Sequence, residues 1–152
     1  MSTAYFAHPI SQYKTPTEAR ILDLLLHLGI WTVNPGSDEI GNAFKDYRAQ
    51  HPTDYMQFFY DLCAHCNVGV FTTFDDALSA PGVPQVPNRV GAGVRGEIDT
   101  FFARNVPVFQ VVLTSPDTLT LKRVTNWDDY TLLTVDQTRA LLKTEKPDYK
   151  SA

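Results

Sequence analysis

The chain alternates short, nearly continuous apolar runs with longer segments whose apolar positions recur every three or four residues, the pattern of strands alternating with helices. Residues 3–7 (TAYFA) form the first run and stop at His8-Pro9, because proline cannot donate to a ladder; they predict a central first strand. Ala19, Ile21, Leu22, Leu24, Leu25, Leu26 and Leu28 recur at helical spacing over residues 16–28, with Thr15 as N-cap, Pro16 at N1, Glu18 at N3 and Gly29 as C-cap. Residues 30–34 (IWTVN) predict a second strand closed by the turn dipeptide Pro35-Gly36. Strand, crossover helix and strand in this order predict a right-handed parallel unit. Residues 38–50 read as an irregular or helical excursion with Phe44 and Tyr47 on one side. After His51-Pro52, Thr53 is placed to cap a helix through Tyr55, Met56, Phe58, Phe59, Leu62 and Cys63, with Asp61 interrupting its apolar tail. Residues 67–74 (NVGVFTTF) predict a third, β-branched and aromatic strand.

Residues 75–90 hold Pro81, Pro84 and Pro87 and show little periodicity, so they read as a long loop at the carboxyl end of that third strand. A glycine-rich entry follows, Gly91-Ala92-Gly93-Val94-Arg95-Gly96, and Glu97 is expected where this loop becomes a helix, at an exposed start. Residues 106–113 (VPVFQVVL) predict a fourth strand, residues 130–134 a short fifth, and residues 135–143 a closing helix capped by Thr134. The pattern as a whole predicts one α/β domain over residues 1–152: a flavodoxin-like, open, mostly parallel five-stranded sheet with helices on both faces, ending in a frayed tail or subunit-contact segment over 145–152. In such sheets ligands lie beyond the carboxyl ends of the strands.

A net charge of -4 argues against a partner that presents nucleic-acid phosphates, which requires a basic face. No apolar run approaches the roughly 18 residues of a membrane span, and Met1 to Tyr5 lack the basic and apolar stretches of a secretion signal, so a soluble, cytoplasmic protein is expected. The glycine run matches G-x-G-x-x-G with Asp117 downstream, but a dinucleotide fingerprint follows directly on a strand and here three prolines precede it; no cofactor is expected. Cys63-Ala64-His65-Cys66 resembles half of a zinc site without its second half, so the two cysteines are expected as small buried residues and no metal is expected.

Three segments together carry a further pattern: residues 4–10 (AYFAHPI), residues 61–71 from Asp61-Leu62 through Asn67-Val68-Gly69-Val70-Phe71, and Gly96-Glu97-Ile98 followed by residues 103–108 (ARNVPV). In their order and spacing the chain resembles the nucleoside 2-deoxyribosyltransferase family and its relatives that hydrolyse nucleotide N-glycosidic bonds. The resemblance implies Glu97 as the nucleophile that takes the deoxyribosyl group, Asp61 as the acid that manages the proton of the nucleobase, and Tyr5 as the hydroxyl that orients Glu97. It further implies substrate contacts at His8, Ile10, Gly91, Gly93 and Asn126, with deoxynucleosides and free nucleobases as substrates. A homo-oligomer with shared active sites is implied too, to which Asn126, Trp127 and residues 149–152 are candidates, with an aromatic surface at Phe58, Phe59, Tyr60 and Trp127. The chain departs from the family pattern in two places: residues 90–95 carry no acid to contact sugar hydroxyls, and His8 stands where glycine is usual. The alternatives are a nucleoside 5′-monophosphate N-glycosidase and a non-catalytic nucleotide-binding module.

Overall fold

The computed structural model describes residues 2–76, 80–115 and 118–150. Strands β1 (Thr3–Ala7), β2 (Trp31–Val33), β3 (Val68–Phe71), β5 (Val108–Ser115) and β6 (Thr118–Arg123) form one sheet in the order β2-β1-β3-β5-β6. The first four run parallel, and β6 turns back antiparallel on β5. A second, two-stranded ladder pairs β4 (Arg89–Val90) with β7 (Thr131–Leu132).

Successive side chains of a strand face opposite sides of its sheet, and β1 is apolar at both. Its Tyr5 and Ala7 enter one core with Cys63, Phe71, Val94, Ile98 and Phe101. Its Ala4 and Phe6 enter the other with Ile21, Leu25, Val70 and Val111. Helices α3 (Gln57–Ala64) and α4 (Ala92–Ala103) therefore cover one face, and α1 (Pro16–His27) covers the other. Because the first four strands are parallel, each helix returns the chain to the start of the next strand. The first turns of α1, α3 and α4 thus lie at the carboxyl edge of the sheet.

Local signals set the ends of α1: the Thr15 hydroxyl accepts from Glu18 N at 3.3 Å, and Gly29 leaves the helix at φ 75°, a left-handed angle that costs glycine least. Residues 38–50 are an α-helix, α2 (Asp38–Gln50), capped by Ser37 and opened by Asp38 and Glu39, whose charges suit a helix N-terminus. Thr53 does not cap α3; that helix begins at Gln57, after a turn over residues 53–56, with no side-chain cap. Strand β3 stops at Phe71, three residues short of the expected end, because Thr72 and Thr73 turn their hydroxyls into a buried polar cluster. The fifth strand of the main sheet is β6 rather than residues 130–134, of which Thr131 and Leu132 pair instead with β4. Helix α5 (Val135–Glu145) carries the expected Thr134 cap, completed by Gln137 in a capping box. Asp117 lies outside the described residues. Among the described residues no helix is long and apolar enough to cross a membrane.

Candidate active site

Glu97 is not at an exposed helix start. Gly91 is the N-cap of α4, so Gly93 and Gly96 are helical and Glu97 falls in the second turn, 8% exposed, against Ile98 and the core around Tyr5. The Tyr5 hydroxyl, fully buried in the middle of β1, donates a hydrogen bond to Glu97 Oε2. Burial lifts the Glu97 carboxyl to about 7, and the Tyr5 hydrogen bond opposes that rise because it favours the ionised form. Burial also raises the Tyr5 phenol well above its ordinary value, helped by the charge of Glu97 and by the bond itself. Burial and then the same charge push up the phenols of Tyr13 and Tyr60, and the thiol of Cys63. Glu97 is thus a carboxyl that exchanges its proton near neutrality, held by the Tyr5 phenol, and its charge reaches the phenols of Tyr13 and Tyr60. As an anion it is a nucleophile, and as an acid it is a proton donor.

The other expected site residues are distributed differently. Asp61 is exposed on α3, where Oδ1 accepts from Gln57 Nε2 at 2.8 Å; no described contact joins it to Glu97. His8 is buried and stacked on Phe6 at 3.8 Å, with Nδ1 2.9 Å from the Phe6 carbonyl and Nε2 2.7 Å from Glu18 Oε2. Both ring nitrogens are therefore engaged within the chain. Ile10 opens a single 3-10 turn over Ile10–Gln12, and its carbonyl accepts from Lys146 Nζ at 3.4 Å. Gly91 is buried where a Cβ would meet the Phe74 ring at 3.2 Å and Thr138 at 3.3 Å, so its lack of a side chain serves packing. Gly93 is exposed, with open space around it. Asn126 is exposed and accepts from Asp128 N at 3.0 Å, a local turn. Trp127 packs edge-on against Phe71, Phe102 and Tyr130 of its own chain and donates to Asp99 Oδ1 at 2.8 Å. Tyr149 lies near enough to Tyr13 to affect its phenol; residues 151–152 are outside the described residues.

A second polar cluster, to which the sequence pattern does not point, lies at the carboxyl end of β3, beside Gln110 near the start of β5. Asp76, 7% exposed, accepts from Thr73 N at 2.8 Å, Thr73 Oγ1 at 3.0 Å and Gln110 Nε2 at 2.8 Å, and burial raises its carboxyl despite these bonds. Tyr130 donates to Gln110 Oε1 at 2.6 Å. Beside it Arg89 clamps Asp75 through its backbone N at 2.9 Å, through Nε, and through a terminal nitrogen at 2.7 Å, which closes the described part of the 75–90 loop. The signals were two: paired acids directly after an apolar strand, and Gln110 as a lone amide inside an apolar one. Only their convergence in space gives them a common role.

Cys63 and Cys66 are free and buried in the core, as small apolar residues are. Arg104 donates to the carbonyls of Cys63 at 2.9 Å and Cys66 at 2.7 Å and so caps the end of α3. Among the described residues no group of three or more histidine, cysteine and acidic side chains is placed to hold a metal. No family model, no curated protein and no solved structure matches the chain. Fold and site define a class: a mostly parallel, open α/β sheet with a buried, phenol-held glutamate beneath its carboxyl edge.

Proposed function

We propose that the protein is a nucleoside 2-deoxyribosyltransferase on a flavodoxin-like sheet, with Glu97 as nucleophile and Tyr5 as the group that orients it. The sheet order β2-β1-β3-β5-β6 agrees with the doubly wound arrangement apart from its antiparallel last strand. The observation that carries the reading is the buried Tyr5–Glu97 hydrogen bond. A carboxylate oxygen attacks C1′ of the deoxyribose, the C1′–N bond breaks, and its electron pair leaves on the base, which takes up a proton. A second base then attacks C1′ from its ring nitrogen, gives up a proton and frees the carboxylate, so the exchange is proton-neutral. The charge that develops on the sugar is oxocarbenium-like, and an adjacent carboxylate traps it as in retaining glycosidases. Burial of the pair keeps water from the covalent intermediate and favours transfer over hydrolysis. Lys14 is paired with Asp38 at 2.6 Å and Lys146 Nζ is held on the Ile10 carbonyl at 3.4 Å, so both lysines are engaged within the chain, which favours substrates without a 5′-phosphate.

The test is a chromatographic assay with deoxyinosine as donor, with and without adenine or cytosine as acceptor. New deoxynucleoside that forms only with acceptor supports transfer; hypoxanthine released equally in both makes the protein a hydrolase. With Glu97 as nucleophile the rate climbs as pH rises through about 7, where the carboxyl ionises. A rate that instead falls above that point assigns Glu97 as an acid, and Glu97→Ala with near-normal turnover removes it from the chemistry.

A further inference from the structure

Helix α5 does not sink into a core as α1 and α4 do; Leu142 is its one buried residue. Polar contacts fix it at the carboxyl edge of the sheet. Near its start the Thr138 hydroxyl accepts from the backbone N of Ala92, the first residue of α4, at 3.0 Å. At its far end Glu145 Oε2 accepts from Ser11 Oγ at 3.1 Å, and just beyond, Lys146 Nζ donates to the Ile10 carbonyl at 3.4 Å. Ile10 and Ser11 belong to the 3-10 turn that follows β1, the strand of Tyr5, whereas Ala92 opens the helix of Glu97. Thr138 and Glu145 stand about two turns apart, or about 10 Å along a helix axis. Helix α5 therefore spans the ends of the two elements that carry the Tyr5–Glu97 pair, over the edge where ligands of such sheets lie. The chain beyond it stays there: burial raises the Tyr13 phenol, and Glu97, Glu18 and Tyr149 add to that rise in this order, so Tyr13 is within electrostatic reach of both the carboxyl and the C-terminal segment.

We propose that α5 is a lid over Glu97, hinged at Thr134, whose opening exposes that carboxyl to molecules from solvent. Glu97 is 8% exposed and Tyr5 fully buried, so nothing larger than water reaches the carboxyl until a covering element moves. The other elements around it are firmly held. Helix α4 buries Val94, Ile98 and Phe101 beside Glu97; the 3-10 turn is tied through Gln12 to the Thr73 carbonyl at 2.9 Å and to the Thr72 hydroxyl at 2.6 Å; and Arg89 clamps Asp75. Helix α5, with one buried anchor and contacts at its surface, is the element that opens at least cost. Its first turn stays in place, because Leu133 N donates to the Val90 carbonyl at 2.9 Å and the Thr134–Gln137 capping box closes the helix start. The lid rests on this geometry and not on the reaction that Glu97 serves. One consequence does rest on the transfer reading. There the first base leaves and the second enters while the sugar is on Glu97, so each opening also admits water, and the lid sets the ratio of transfer to hydrolysis.

Coupling of glycinamide to carboxyls of the full chain by a water-soluble carbodiimide, located by peptide mass spectrometry, tests the lid, with amide deuterium exchange measured beside it. The variant is Glu145→Ala with Lys146→Ala, two half-buried residues outside both cores. In the wild type, Glu97 is expected to couple far more slowly than the exposed Asp61, and the amides of α5 to exchange well before those of β1. In the double variant, Glu97 is expected to couple about tenfold faster, the scale of one to two hydrogen bonds lost, with the exchange of β1 and β3 unchanged. Glu97 coupling as fast as Asp61 in the wild type overturns the lid, as do α5 amides that exchange only together with those of β1. So does Glu97 coupling that stays the same in the double variant while α5 exchanges faster. With deoxyinosine and adenine, the variant is expected to release more hypoxanthine for each new deoxynucleoside. Faster coupling of Glu97 in a protein with no transferase activity leaves the lid standing and refutes the transfer reading. Transfer in which neither Glu97 coupling nor the product ratio responds to the double variant does the reverse.

Discussion

Replacing Glu97 by glutamine keeps the shape of the side chain and removes its ionisation, which makes the cost of burying this group measurable. Burial lifts the carboxyl from its ordinary 4.5 to about 7, and with 8% exposure little solvent is left to screen it. At about 1.36 kcal/mol for each pH unit, that span of about 2.5 units is worth about 3 kcal/mol. Between the two values the folded protein holds a proton that the unfolded chain has released. The contribution is therefore fully present below 4.5 and is lost as pH rises through about 7. Glutamine carries no charge at any pH, and its carbonyl oxygen still accepts from Tyr5. Wild type and Glu97→Gln should thus differ little in stability near pH 4.5, and the variant should become the more stable by about 3 kcal/mol at about pH 8. Urea unfolding across this range, with the two midpoints compared at each pH, measures the difference directly. A difference that stays flat to within about 1 kcal/mol would refute the burial argument, and with it the physical basis for a proton exchanging at neutral pH.

Two other outcomes follow from the same geometry. Tyr5→Phe deletes a hydrogen bond to a charged group, worth about 1.5–3 kcal/mol, so the rising limb of the pH–rate profile should move up by about 1 to 2 pH units; an unmoved limb would separate Tyr5 from Glu97. Asp75→Ala strands the Arg89 guanidinium, whose side chain is 11% exposed, and should cost about 3 kcal/mol in urea unfolding and open residues 80–90 to protease. A loss below about 1 kcal/mol would show that the pair is solvated in solution.

What the sequence made legible was written in local signals. Thr15, Pro16, Glu18 and Gly29 mark the ends of α1 because capping depends on neighbours within a turn, and the Thr134 cap of α5 reads for the same reason. Runs such as 3–7 and 68–71 mark β1 and β3 because strands buried on both faces are continuously apolar. The tertiary placements were not written this way. Gly91, Gly93 and Gly96 read as loop by propensity, yet Gly93 and Gly96 are helical, and the Tyr60 hydroxyl that crosses Gly96 leaves no room there for a Cβ, a packing demand that a single residue's preference does not reveal. Asp61 reads only as an interruption in the apolar tail of a helix capped at Thr53; the helix starts at Gln57, and Asp61 pairs with that residue one turn back. Strand β6 is not legible in the sequence because only Leu119 and Leu121 of its residues join a core, the half-polar pattern of an edge. The chain also gave no sign that Gln110, 34 positions away, would meet Asp76.

No residue of α2 is buried, and the helix leans on its neighbour through rings, Phe44 against Tyr55, Phe58 and Phe59, and Tyr47 against Phe58. It can therefore peel away without disturbing either core of the sheet, so its amides should surrender their protons to deuterium long before those of β1 and β3. Peeling would also strip Tyr55 of the Arg48 guanidinium and the Phe44 ring that hold it upright. The breathing of α2 thereby loosens the start of α3 before either core of the sheet opens.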